Sequence, residues 1–160
     1  MAKREVERTA QQSLIDRLID RDPMSTTESR MTLAQSVSEF KQSVRRDVEW
    51  LLNTRRIPEP ASDSMVELKK SLYEYGLPDI TSLSADSPEV RTQLVRHIEE
   101  AISLFEPRLA DVKITVTDTG EGGTRQLRFL IEGMLRMEPN PEQVAFDTIL
   151  DTTKCNFEVK

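Results

Sequence analysis

Apolar residues recur along this chain first at helical spacing and then at strand spacing. Leu14, Ile15, Leu18 and Ile19 in "SLIDRLID" share one face of a short amphipathic helix, which Asp22-Pro23 terminates. A helix this short is marginal alone, so it must dock, either on its own core or on a partner. Beyond the linker "MSTTESR", Leu33, Val37, Phe40, Val44, Val48 and Leu51 follow one another at spacings of four and three. That stripe predicts a long helix from about Thr32 to Thr54, widened by Trp50 and Leu52. The proline-rich "IPEPASDS" leads to a short helix in "MVELKKSLYEYGLPDI", ended by Gly76 and Pro78. After "TSLSADSPEV", Ser87 as N-cap and Pro88 as first residue open another helix, with Val90, Leu94, Ile98, Ala101, Ile102 and Phe105 inward.

After residue 110 the period falls to two. Val112, Ile114 and Val116 alternate with Lys113, Thr115 and Thr117, which predicts a strand. "DTGEGGT" is a hairpin tip, and Leu127, Phe129 and Ile131 continue in the return strand, where Gly133 marks a bulge or bend. "EPNP" is a turn. Val144, Phe146 and Thr148 start a third strand, and Cys155, Phe157 and Val159 a fourth. Helices first and a sheet last predict an α+β fold: a small, mostly antiparallel or mixed sheet of about four strands on two main helices, preceded by the amphipathic helix. The expected division is an N-terminal tail and docking helix over 1–30 and one α+β domain over 31–160.

Composition narrows the function. The 160 residues, 37% hydrophobic, suffice for one core. The formal net charge of -6 is concentrated beyond residue 60, which argues against nucleic acid or anionic lipid as the main ligand. One cysteine and one histidine allow no intrachain disulfide and make a zinc site implausible. "MAKREVERTAQQ" lacks an apolar signal region, and no stretch approaches the roughly 20 apolar residues of a membrane span. The expectation is a reduced, cytosolic protein with no cofactor, no metal, no small-molecule substrate and no direct membrane insertion.

The chemistry concentrates in Glu106-Pro107-Arg108, between the last helix and the first strand. Glu106 stands where the helix macrodipole disfavours a carboxylate, and Pro107 fixes the junction. Arg108 shares the parity of Val112 and Ile114, so a strand continued back to it would aim its guanidinium at the packed face. A half-buried guanidinium needs a carboxylate fork. Either the pair is an internal clamp, whose loss costs about 3–5 kcal/mol, or it faces a neighbouring subunit, and the isolated fold loses about 1 kcal/mol or less. Glu106 with Asp111 makes a poor hydrolytic pair, having no cleft signal. "GEGG" lacks the Gly-Lys-Ser/Thr ending of a phosphate loop. His97 lies on the polar side of its helix. Cys155, in phase with Phe157 and Val159, reads as a buried thiol. Arg45, Arg46, Arg55 and Arg56 are expected to cap the long helix and to pair with Asp47 and Glu49.

"SLIDRL", "SVRRDVEWLLNTRR", "YGLPD" and "FEPRL", in this order, resemble the TssE family of type VI secretion baseplate subunits, within the tailed-phage baseplate wedge proteins once labelled lysozyme-like. The resemblance runs from about Leu14 to Phe157. It implies a structural protein at the cytoplasmic baseplate, near the inner membrane, that starts polymerisation of the contractile sheath. It also implies that strands are shared with sheath subunits, so that Phe157 and its strand would meet a partner. Glu106, Pro107 and Arg108 correspond to the family's acidic-Pro-Arg motif, associated with assembly rather than catalysis. Leu14, Ile15, Leu18 and Ile19 would dock on wedge subunits. The rival readings are an anti-adaptor regulator of the same fold family and, behind it, a peptidoglycan lysozyme.

Overall fold

The computed structural model describes residues 13–19, 23–24, 32–79, 87–117, 126–137 and 140–160. The expected polar tail over 1–12, the Asp22 stop, the linker beyond Met24, most of "TSLSADSPEV", the tip of the first hairpin and the first half of "EPNP" lie outside them. The long helix, α2, spans Leu33–Asn53. "TLAQ" starts it as a capping box: Thr32 Oγ1 accepts from Gln35 N, and Gln35 Oε1 accepts from Thr32 N. Upstream lies α1, Leu14–Leu18, and downstream a short α3, Val66–Lys69, with a 3₁₀ turn over Leu72–Glu74. The second main helix, α4, is Pro88–Phe105. Four strands follow: β1 Leu109–Thr117, β2 Gln126–Leu135, β3 Glu142–Asp151 and β4 Asn156–Val159. They form one antiparallel sheet in the order β1-β2-β3-β4, so the α+β expectation holds.

One face of the sheet packs on α2 and α4. Phe129, Ile131, Leu135, Phe157 and Val159 meet Val44, Val48, Ile98 and Ile102, each at most 1% exposed, in a single core. Trp50 does not join it. This side chain is 56% exposed and lies under the Arg46 guanidinium, 5.1 Å from the ring centroid.

Three local expectations are corrected. The bulge lies in β1, not at Gly133: Ala110 pairs with Met134 and Lys113 with Glu132, leaving Asp111 and Val112 opposite the single Gly133. Asp111 has φ 52°, and a Cβ on Gly133 would stand 2.9 Å from Leu109 side-chain atoms. The glycine lets the bulged strand close in. The bulge also shifts the alternation, so that Leu109 and Ile114 are both buried despite an odd separation. Arg108 therefore does not enter the core by strand parity; it sits in the turn that closes from Leu109 N to Glu106 O. Cys155 precedes β4, in a turn at φ 50°, half-buried rather than buried in the strand.

The outer edge of β4 is covered by α2. Asn53 acts as a substitute strand: its Oδ1 accepts from Phe157 N at 2.8 Å and its Nδ2 donates to Phe157 O at 2.9 Å. One and two turns back along the helix, Glu49 accepts from Val159 N at 3.3 Å and Arg45 donates to Val159 O at 3.4 Å. Residues at four-residue intervals share a face, so three side chains follow the strand.

The end of α2 is held by "YGLP". Leu77 N donates to Thr54 O and Arg56 N to Leu77 O, a short parallel bridge. It requires Gly76 at φ 108°, where a Cβ would stand 2.3 Å from Thr54 O. Gly76→Ala is expected to destabilise the protein by about 1–3 kcal/mol from backbone strain alone, with a further loss as the carbonyl moves; chemical denaturation measures it.

Candidate interaction site

A ladder of alternating charges joins the helix–strand junction to α2 and α1. Glu106, 3% exposed, caps α4. Pro107 turns the chain, and Arg108 folds back so that its Nε donates to Glu106 Oε1 at 2.6 Å and its Nη2 to Glu106 Oε2. The same Nη2 donates to Asp47 Oδ2 at 2.6 Å, and Nη1 to the Ser43 hydroxyl at 3.2 Å. The guanidinium carbon lies 5.9 Å from the centre of the Phe40 ring. Phe40, Ser43 and Asp47 are spaced by three and four, so one stripe of α2 faces Arg108. Burial alone pulls the Arg108 pKa down, but the hydrogen bonds from Glu106 and Asp47 outweigh it and the value rises.

The ladder continues outward. The other Asp47 oxygen accepts from Arg46 Nε and Nη2 at 3.0 and 2.8 Å. Arg46 Nη1 donates to Asp16 Oδ1 at 2.7 Å, and the Ser43 hydroxyl donates to Asp16 Oδ2 at 2.6 Å. Ser43 thus donates to Asp16 and accepts from Arg108. The Arg46 hydrogen bond, opposed by burial and helped by Ser13 and Ser43, holds the Asp16 carboxyl well below the usual carboxylate range.

That anchor fixes how α1 presents its sides. The polar side chain of Asp16 faces α2, with only 5% of its surface exposed. Leu14, Ile15, Leu18 and Ile19 are exposed by 70, 58, 76 and 49%. The amphipathic helix expected from the sequence is present and packs with its polar side inward. The turn at Pro107 is exposed and Arg108 half-buried, so the junction's surface is its proline while its charges are engaged within the chain. Phe157 stands apart: its side chain is 1% exposed and its outward backbone groups are taken by Asn53.

The remaining candidates do not join this cluster. Asp111 is exposed in the bulge. His97 lies 3.9 Å from Glu100, beside an open groove of about 640 Å³ that Arg56, Glu74, Leu104 and Phe105 also line. Glu74 there accepts from Ala61 N at 2.6 Å and from Arg56 at 3.4 Å. Arg55 pairs with Asp79, not with an acidic residue of α2. Among the described residues no group of three or more histidine, cysteine, aspartate or glutamate side chains could hold a metal, and no helix is long and apolar enough to cross a membrane. Sequence reasoning missed Asp16, Ser43 and Asn53. Ser43 and Asp47 carried a signal, as polar residues in phase with Phe40 on the apolar stripe. Asp16 and Asn53 carried none, because the partners that tie them to the rest of the fold, Ser43 and Arg46 for Asp16 and Phe157 for Asn53, lie 27 to 104 positions away.

The matched protein family is described as "Baseplate wedge protein gp25" and covers residues 38–140. No curated protein matches. Among solved structures, a chain of "The baseplate complex from the type VI secretion system" is similar at 20% identity, over 70% of this chain and 94% of that one, with a TM-score of 0.47. The family match holds Ser43, Arg46, Asp47, Glu106 and Arg108 and leaves out α1, β3 and β4.

Arg108→Ala leaves Glu106 buried without its fork, and is expected to cost the isolated protein about 3–4 kcal/mol, the lower part of the range for a broken buried pair because Arg108 stays partly solvated. Arg108→Lys recovers only part, since an ammonium cannot span both carboxylates. Urea denaturation of the purified variants checks both; a loss under about 1 kcal/mol for the alanine would contradict the clamp. Asp16→Ala frees Arg46 from one of its two carboxylates. Trp50, the single tryptophan, lies against that guanidinium, so its emission is expected to shift while the global transition stays within about 1 kcal/mol.

Proposed function

The chain belongs to the baseplate wedge protein gp25 family, matched over well over half its length, and from that premise we propose that it is a structural component of a type VI secretion baseplate. In this reading it docks on wedge subunits and starts polymerisation of the contractile sheath by sharing strands with sheath subunits. The secretion branch rests on "SVRRDVEWLLNTRR" and the motifs in register with it. The work is mechanical rather than enzymatic, in the cytoplasm at the inner face of the envelope, with no cofactor, nucleic acid or small-molecule substrate.

The observation that carries the docking role is the outward apolar face of α1. Four large apolar side chains stand in water while an aspartate is tied down beneath them. A helix left to its own hydrophobic effect turns the other way. Docking on a wedge subunit buries these side chains, and full burial of each is worth about 1.5–3 kcal/mol before the costs of association. The N-terminal segment over 1–30 is then the docking arm of a wedge-like domain over 31–160. The Glu106-Pro107-Arg108 junction serves assembly through Pro107, its exposed tip, which the two charges hold at a set angle.

Co-purification of the tagged protein with wedge and sheath subunits tests the reading; recovery of neither from cells that assemble sheaths would end it. Within it, Leu14→Asp with Leu18→Asp is expected to weaken wedge-subunit capture tenfold or more, about 1.4 kcal/mol, with the midpoint of thermal unfolding unchanged. Capture equal to that of the unaltered protein would remove α1 from the interface. A peptidoglycan turnover assay is expected to give no release above buffer, and release abolished by Glu106→Gln would reverse the assignment.

A further inference from the structure

Among the described residues α1 has no buried apolar side chain, and what ties it to α2 is Asp16. One oxygen of that carboxylate accepts from Arg46 Nη1 at 2.7 Å and the other from the Ser43 hydroxyl at 2.6 Å. Both donors lead on to Arg108. The Ser43 oxygen accepts from Arg108 Nη1 at 3.2 Å. Arg46 holds Asp47 Oδ1, and the other oxygen of Asp47 accepts from Arg108 Nη2 at 2.6 Å. Two routes therefore run from α1 to the helix–strand junction, both through side chains of α2.

The two routes act with the same sign. A serine hydroxyl has one proton and two lone pairs. While the proton is given to a carboxylate, the oxygen is polarised and accepts more strongly. Without Asp16 the proton turns to a backbone carbonyl one helical turn back, and the bond from Arg108 weakens. Arg46 divides its donors between Asp16 and Asp47. Without Asp16 it leans on Asp47 alone and competes harder with Arg108 for that carboxylate. Either way Arg108 keeps its fork on Glu106 and loses hold of α2.

We propose that the seating of α1 on α2 and the tie of the Glu106-Pro107-Arg108 junction to α2 form one coupled switch, with Ser43 and Arg46 as its links. With Asp16 in place the junction is fastened to α2. With α1 lifted away it is held by its own fork and by the bond from Arg136 N to Arg108 O alone. The bistable element is α1, a five-residue helix that is marginal by itself. Anything that binds α1 where it lies favours the fastened state by its differential affinity, and stiffens the exposed Pro107 at the far end of the ladder. The device goes beyond the docking role proposed above and does not need it, since both states belong to the chain alone.

Two populations in the purified full chain test the coupling. Rotation of the Arg108 guanidinium about its Nε–Cζ bond requires its Nη bonds to be open together, so its rate, measured by side-chain nitrogen NMR, follows the released population. Asp16→Ala is expected to raise that rate by about fivefold or more, the low end for linked sites. Leu14→Ala with Leu18→Ala changes α1 and leaves the ladder whole, and is expected to leave the rate unaltered. Conversely, tryptic cleavage after Arg17 follows the detached population of α1 when opening is fast relative to cleavage. Arg108→Lys is expected to raise it by a comparable factor, because linkage is reciprocal. Arg108 rotation that is unchanged in Asp16→Ala, or equally raised in the Leu14 and Leu18 control, overturns the coupling. A rise that only keeps step with amide exchange at the core residue Val48 is general destabilisation and overturns it too, as does cleavage after Arg17 that is indifferent to Arg108→Lys. None of these outcomes bears on the docking role, which subunit capture tests separately.

Discussion

Arg108 holding Glu106 and Asp47 together is the contact on which the arrangement turns. A carboxylate at the C-terminal end of α4 is opposed by the helix macrodipole and, at 3% exposure, by desolvation. It is tolerable because a guanidinium two residues later takes both its oxygens. The same guanidinium reaches α2 through Asp47 and Ser43, so one side chain sets the angle at which α4 passes into β1 and the distance of that junction from the other main helix. Leu109 then starts β1 in the core, and the bulge opposite Gly133 takes up the change of phase.

Much of this was legible in the sequence, for definite reasons. Spacings of three and four located α2 and α4, and alternation located the strands, because one-sided burial imposes those periods. Ser87-Pro88 marked a helix start from local chemistry, whereas the start near Thr32 came from the apolar stripe alone and its capping box from the structure. What escaped depends on partners far along the chain. The phase of β1 could not be read, since an inserted residue is invisible to alternation when both neighbours are apolar or small. Trp50 was assigned to the stripe by hydropathy, whereas a cation at its face leaves it at the surface. Of the site, Glu106-Pro107-Arg108 stood out because a charged pair around a proline is locally unusual. Its true partner, Asp47, appeared only as an acidic residue among the arginines.

Two inversions of ordinary practice frame the surface. A short helix turns its aspartate inward and its leucines outward, and a sheet edge is sealed by a helix's amide and its neighbours rather than by a strand. Both are held by polar contacts made across the fold: the first leaves apolar side chains facing out, and the second takes up the outward backbone groups of β4.

The Asn53–Phe157 pairing spans 104 positions of the chain, and this has a kinetic consequence. Closing so long a loop costs entropy before any contact repays it, and contacts of this kind are made late in folding. β4 has only four residues and little to hold it to β3 alone. Until α2 arrives, its outer groups stand open to any passing strand. The amide that seals the finished edge is therefore also a timer: the faster α2 docks, the shorter the interval in which a half-built sheet can pair with a neighbour still folding.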